Sequence, residues 1–266
     1  MKKWLGIGLT LAAVLAALFA PWLAPHDPLR TDFSQSLKPP GAAGHPLGTD
    51  QLGRDLLTRV LFGARLALFI GGCTVLVTTI VGGLLGLVTG FTERWPSTVL
   101  MRIVDVQLSF PFILLAMTIN AIVGLGLRNI ILSLSAAGWV VYARVVRGEV
   151  LSVKQRDYVQ AAAALGMGRV RLMFRHVLPN VAPSIIVVAS LQFSSFIVAE
   201  AAISFLGFGV QPPTPAWGSM LSESRDFLYV AWWLAAFPGA ALALTALGVN
   251  LLGDWLRDTL DPKLRV

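Results

Sequence analysis

Six stretches of this 266-residue sequence are each apolar over a length that can cross a bilayer. The hydrocarbon core is ~30 Å thick and an α-helix rises ~1.5 Å per residue, so a crossing takes ~20 residues. The stretches lie at about 4–24, 66–90, 98–122, 128–147, 183–207 and 230–252. A soluble fold would need a polar shell, and only 13% of residues are charged, against about 25% in a typical soluble domain. The pattern predicts an all-α integral membrane protein with six transmembrane helices. Its second stretch carries Gly71, Gly72, Gly82, Gly83, Gly86 and Gly90, a density that lets membrane helices approach closely. Lys2 and Lys3 before the first stretch would suit a signal peptide. The length of the stretch, Leu18 ahead of Ala20, and Pro21 favour a retained first helix.

Basic residues set the orientation, because Lys and Arg accumulate on the cytoplasmic side. With both termini inside, inward-facing segments hold 14 of the 21 basic residues and outward-facing segments hold 7. This predicts N-in/C-in. The net charge of +7 then reflects membrane topology rather than a nucleic-acid stripe. Most of the bias comes from residues 143–180. There Gln160-Ala161-Ala162-Ala163-Ala164-Leu165 favours helix, Gly166 interrupts it, and Arg169 to Val177 resumes it ahead of Pro179. Two short helices at the cytoplasmic surface are expected. Pro39-Pro40-Gly41 and Gln211-Pro212-Pro213-Thr214-Pro215 mark turn-rich outer loops.

Catalytic patterns are missing. The sequence has no phosphate-binding G-x-x-x-x-G-K-[ST], no H-E-x-x-H and no G-x-S-x-G. His26, His45 and His176 stand apart along the chain, and Cys73 lies alone in an apolar block, so no metal site is expected. Uphill transport would therefore draw its energy from a partner or an ion gradient. Glu200 falls inside the fifth stretch, where a carboxylate is costly. Two readings stand for it: a place in the translocation path or gate together with Ser204, or a hydrogen bond to a neighbouring helix. Asp105 follows Arg102 by three residues, a spacing that predicts a local ion pair. Most tryptophans sit near stretch ends, as interfacial anchors do.

Asp157-Tyr158-Val159-Gln160-Ala161-Ala162-Ala163-Ala164-Leu165-Gly166, continuing to Arg175-His176-Val177-Leu178-Pro179-Asn180, resembles the EAA loop of bacterial ABC importer permeases. It departs at Gln160, where the family usually has Glu. His45-Pro46-Leu47-Gly48-Thr49-Asp50-Gln51-Leu52-Gly53-Arg54-Asp55 precedes the second stretch. Glu200 to Gly209 ends the fifth. Asn250-Leu251-Leu252-Gly253-Asp254-Trp255, then Leu260-Asp261-Pro262, closes the chain. Together these resemble the second permease of oligopeptide, dipeptide and nickel uptake systems.

The resemblance implies a type I ABC importer transmembrane domain in the bacterial cytoplasmic (inner) membrane. Its implied partners are a second homologous permease, two ABC ATPase subunits inside and a solute-binding protein outside. ATP and Mg would reside in the ATPases, with no cofactor in this chain. Residues 1–24 would form the first helix and 25–65 an external loop with motif residues Gly48, Asp50, Gly53, Arg54 and Asp55. A five-helix core would occupy 66–252, including a coupling loop at 148–182, and 253–266 would be a cytoplasmic tail. The coupling residues would be Asp157, Tyr158, Gln160, Ala161, Ala162, Leu165, Gly166, Arg175, His176 and Pro179, with small side chains permitting close seating in an ATPase groove. Peptides are the expected cargo. Nickel, glutathione or opine importers share the motifs, and an ion-coupled secondary transporter is the alternative from another class.

Overall fold

The computed structural model describes residues 2–92 and 95–260. Arg94 and residues 261–266, used above in the charge bias and the closing motif, lie outside the described residues. Everything regular among the described residues is helical, with two isolated β-bridges near residues 42–55. The helices are α1 (Lys2–Leu18), α2 (Ala20–Leu23), α3 (Leu56–Phe91), α4 (Trp95–Leu108), α5 (Phe112–Val123) and α6 (Leu127–Lys154). They continue with α7 (Asp157–Ala164), α8 (Arg169–Leu172), α9 (Leu178–Phe205), α10 (Trp217–Ser224) and α11 (Trp233–Leu260).

Four helical stretches are long and apolar enough to cross a membrane: α3, α6, the run Arg169–Phe205 and α11. Counting α4 with α5 as one broken span gives five. The third apolar stretch is thus not the straight helix expected from 98–122. It turns by 97° between Leu108 and Phe112. Pro111 explains the break: it has no N–H to donate and pushes Phe110 out of the helical region. α1 stops at Leu18, and Pro21 enters the first turn of α2.

α3 begins ten residues before the apolar stretch, because Asp55 caps it by accepting from the Thr58 N–H at 2.8 Å. α11 runs on to Leu260, so residues 253–260 continue the helix. Pro179 and Pro183 do not end the fifth span. A five-residue π segment, Met173–Val177, joins α8 to α9, and the helix stays continuous from Arg169 to Phe205. A π turn and prolines are both features that bend a helix locally without ending it.

The central contact is between α3 and α6. A Cβ built on Gly82 would lie 2.2 Å from the Trp139 carbonyl oxygen, on Gly86 2.7 Å from that of Ala143, and on Gly90 2.8 Å from Val150 Cβ. These glycines recur every four residues, so one bare stripe of α3 meets the α6 backbone. Gly83, one residue away, meets nothing within 4 Å. On the flank, α1 packs against α11 with Gly6 seated on Leu251–Leu252 and Gly248 on Leu9–Thr10.

Candidate functional site

The loop after α6 is fastened to the bundle by one face and bare on the other. Val159 and Leu172 are buried with Leu87, Val146, Val150, Val153, Val177 and Val181, and Ala162 and Met167 pack beside them. Val159 and Ala162 are three apart and share the inward face of α7; Tyr158, Ala161 and Leu165 share the outward one. Leu165 is 89% exposed, and Tyr158, Val170 and Phe174 are also exposed. Ala162 therefore anchors the loop to its own bundle instead of offering a contact outward. Asp157 lies in the first turn of α7, where a negative charge suits the helix dipole.

Gly166 sits at φ +84° with open space around its absent Cβ. The reason for glycine here is backbone conformation, not crowding within the chain. α7 ends in a Schellman turn: Met167 N–H donates to Ala162 O at 3.2 Å and Gly166 N–H to Ala163 O at 3.0 Å. This turn reverses the chain into α8. Gln160 is exposed and donates to its neighbour Gln155 O at 3.2 Å. Arg175 and Pro179 are exposed, while His176 is half-buried near Tyr158, with 6.5 Å between ring centroids. Asn180 donates to His176 O at 2.7 Å. Between this loop and the ends of α3 and α6 lies a cavity of about 670 Å³, with Phe91, Gln155, Gln160, Met167 and Arg169 in its wall.

Glu200 and Ser204 meet in a closed corner. Glu200 is 2% exposed, and the Ser204 hydroxyl donates to its Oε1 at 2.6 Å. The same hydroxyl accepts from Val210 N–H at 3.2 Å. A Cβ on Gly209 would lie 1.9 Å from that hydroxyl, and one on Gly218 would lie 2.1 Å from Ala201 O. The pair ties the end of α9 to the turn that follows, and the hydrogen bond of Glu200 stays within α9 instead of reaching a neighbouring helix. Asp105 does not pair with Arg102. It accepts from Arg144 of α6, 39 residues away.

The 45–55 motif builds a buried charge cluster. Asp50 Oδ1 accepts from the backbone N–H groups of Leu52 and Arg54 at 2.8 and 2.9 Å. Its Oδ2 accepts from Arg54 Nε at 2.5 Å and from Arg59. Glu223 of α10 completes the set, 3.1 Å from Arg54 and 3.2 Å from Arg59. Two carboxylates thus balance two guanidinium groups. Gly48 and Gly53 are fixed by backbone: both have positive φ, and a Cβ would lie 2.5 Å from Lys38 O and 1.7 Å from Asp32 O respectively. Asp55 has a different duty, capping α3 and meeting His45 Nδ1 at 2.9 Å. Arg59 and Glu223 belong to this cluster and were not singled out from sequence. The close spacing of Arg54 and Arg59 to Asp50 was a usable signal; Glu223, more than 160 residues on, gave none. His26 and His45, separate in sequence, stack with 4.7 Å between ring centroids.

Comparison with known proteins bears on the whole chain. Residues 82–266 match the family described as binding-protein-dependent transport system inner membrane component. Residues 4–40 match the N-terminal TM domain of oligopeptide transport permease C. The di/tripeptide transport system permease protein DppC of Pseudomonas aeruginosa is 47% identical over 265 residues, covering 98% of this chain and 88% of that protein. The probable D,D-dipeptide permease DdpC of Escherichia coli is 42% identical, covering 94% of this chain and 84% of that protein. The glutathione permease GsiD of Pectobacterium atrosepticum is also 42% identical, covering 96% and 85%. With 185 of its residues matched by the family and relatives above 40% identity along almost its full length, this chain belongs to the inner membrane components of binding-protein-dependent transport systems.

Proposed function

We propose that this chain is one permease half of an ATP-driven importer that carries peptides inward by alternating access. A second homologous permease, two ABC ATPases and an external solute-binding protein would complete the complex. The relatives' names support peptides as cargo, and the glutathione permease among them supports a close alternative. Nickel and opine carriers share the quoted motifs. The ligand co-purifying with the binding protein would separate these cargoes.

The observation that carries the reading is the two-faced loop after α6. It is fixed to the bundle through Val159 and Leu172, yet presents Tyr158, Leu165, Val170 and Phe174 bare. A rigid mount with an exposed apolar crest suits docking in an ATPase groove. Ala161 is exposed on that crest, so Ala161→Arg places its charge outside the chain's own core. Overpacking costs about 1–3 kcal/mol and burying an unpaired charge costs more, so ATPase retention on the purified complex should fall at least about tenfold. The variant's own thermal unfolding should stay unchanged. Ala162→Arg, aimed inward, should instead destabilise the chain itself. Full ATPase retention and transport by Ala161→Arg would remove this loop from the coupling role.

The proposed topology has six crossings: α1 with α2, α3, α4 with α5, α6, α8 to α9, and α11. Both termini are cytoplasmic. The 36-residue α3 supports it, since a helix of that length extends ~54 Å and separates its two ends fully. The 25–55 segment and α10 gather at its N-terminal end, and the 155–169 loop at its C-terminal end. In a Cys73→Ala background, single cysteines at Ala42 and Thr214 should react with an impermeant thiol reagent from outside intact cells, and one at Gly168 should not. Labelling at Gly168 under those conditions would reverse the assignment.

A further inference from the structure

Three side chains remote from the coupling loop converge ahead of α3. His45 Nδ1 lies 2.9 Å from Asp55 Oδ1, and His26 Nδ1 lies 3.8 Å from the same oxygen. One ligand atom from each of the three residues can be chosen so that all lie within 4.8 Å of one another. Asp55 Oδ2 is occupied by the Thr58 N–H, which leaves Oδ1 to face the imidazoles. His26 Nδ1 is buried and has no hydrogen-bond partner. A buried ring nitrogen left without a partner calls for an explanation.

We propose that His26, His45 and Asp55 hold one divalent transition-metal ion of the zinc type. Two imidazole nitrogens and one carboxylate oxygen are a donor set such ions take, with a fourth position left to water. The spacing fits. Bonds of ~2.1 Å in a tetrahedron place ligand atoms ~3.4 Å apart, and the two His–Asp separations, 2.9 and 3.8 Å, bracket that edge. Ligation through Nδ1 leaves the remaining proton of each neutral ring on Nε2. A cavity of about 200 Å³ adjoins the three residues, with Asp32 and Gln35 in its wall. Arg30 is there too, and Asp32 beside it offsets its charge. The ion satisfies the orphan nitrogen of His26. It also joins the short connection after α2 to the 45–55 motif, where His26 otherwise meets His45 by ring stacking and α3 through the 3.4 Å contact of its N–H with Thr58 Oγ1.

The test uses the full chain in lipid nanodiscs, free of affinity-tag histidines and stripped with a chelator. Titration with Zn2+ by calorimetry should show one ion per chain, not displaced by excess Mg2+. Co2+ bound in its place should give the visible bands of a four-coordinate ion. His26→Ala and His45→Ala should each weaken Zn2+ binding at least tenfold. His26→Phe keeps the ring stack on His45 but removes the nitrogens, so it should lose Zn2+ affinity while unfolding at the wild-type temperature. The proposal fails if fewer than one ion binds per two chains, or if His26→Phe keeps wild-type affinity.

Discussion

Asp50→Ala should destabilise the chain by about 3–5 kcal/mol, the range for removing one partner from a buried ion pair. Asp50 is 1% exposed, and its carboxylate receives four donors: two backbone N–H groups and the side chains of Arg54 and Arg59. Both arginines are themselves buried. Without Asp50 they retain only Glu223 as a carboxylate partner, whose side chain is partly open to solvent. Two buried positive charges would then face one negative charge. The Asp50→Asn variant keeps the shape and some acceptor capacity, so its loss should be smaller. The Asp50→Asn, Arg59→Met double variant should cost less than the two single variants summed, because each single change strands the other's partner. Chemical unfolding of the purified chain measures all of these. A loss below about 1 kcal/mol for Asp50→Ala would mean that the cluster is not what holds the segment before α3.

Gly82→Leu should cost about 3 kcal/mol, the upper end for overpacking. The first added carbon would already sit 2.2 Å from the Trp139 carbonyl oxygen and 2.7 Å from Tyr142 Cβ. A carbonyl on a packed helix cannot rotate away as a flexible side chain can, so α6 must shift as a body. Gly83→Leu is the control. It lies on the same helix one residue along, with nothing within 4 Å. The added side chain meets no α6 backbone, and leucine forms helix better than glycine, so the variant should be neutral or slightly stabilising. Equal losses from the two variants would show that the cost comes from the helix itself rather than from its contact with α6.

What could be read from sequence followed from local rules. Apolar length located the long helices, and the glycines of the second stretch forecast a close helix pair. Sequence could not tell which of them make it: Gly82, Gly86 and Gly90 do and Gly83 does not, because helical phase against α6 is set by the partner. The Gly166 break between two short helices was legible, since only glycine readily takes the φ that a Schellman turn requires. Other failures came from long-range geometry. Asp105 had a nearby Arg102 but found Arg144 across the bundle. Glu200 was legible as a costly intramembrane carboxylate, yet its partner Ser204, one turn on, was grouped with it as a gate rather than as a hydrogen-bond donor. The bend in the third stretch had a visible cause in Pro111 that apolar counting passed over. Pro179 was read as following a short helix, whereas a π segment carries the helix on into α9.

That π segment makes the chain from Arg169 to Phe205 a single lever. Its 37 residues extend ~55 Å, so a 5° tilt about one end swings the other by ~5 Å. No loop lies between Arg169 and the Glu200–Ser204 corner. The lever has one compliant joint, where the wide turn of 173–177 meets Pro179 and Pro183. Bending there would decouple the short arm from the long one, whereas stiffness there would make both ends move in fixed proportion.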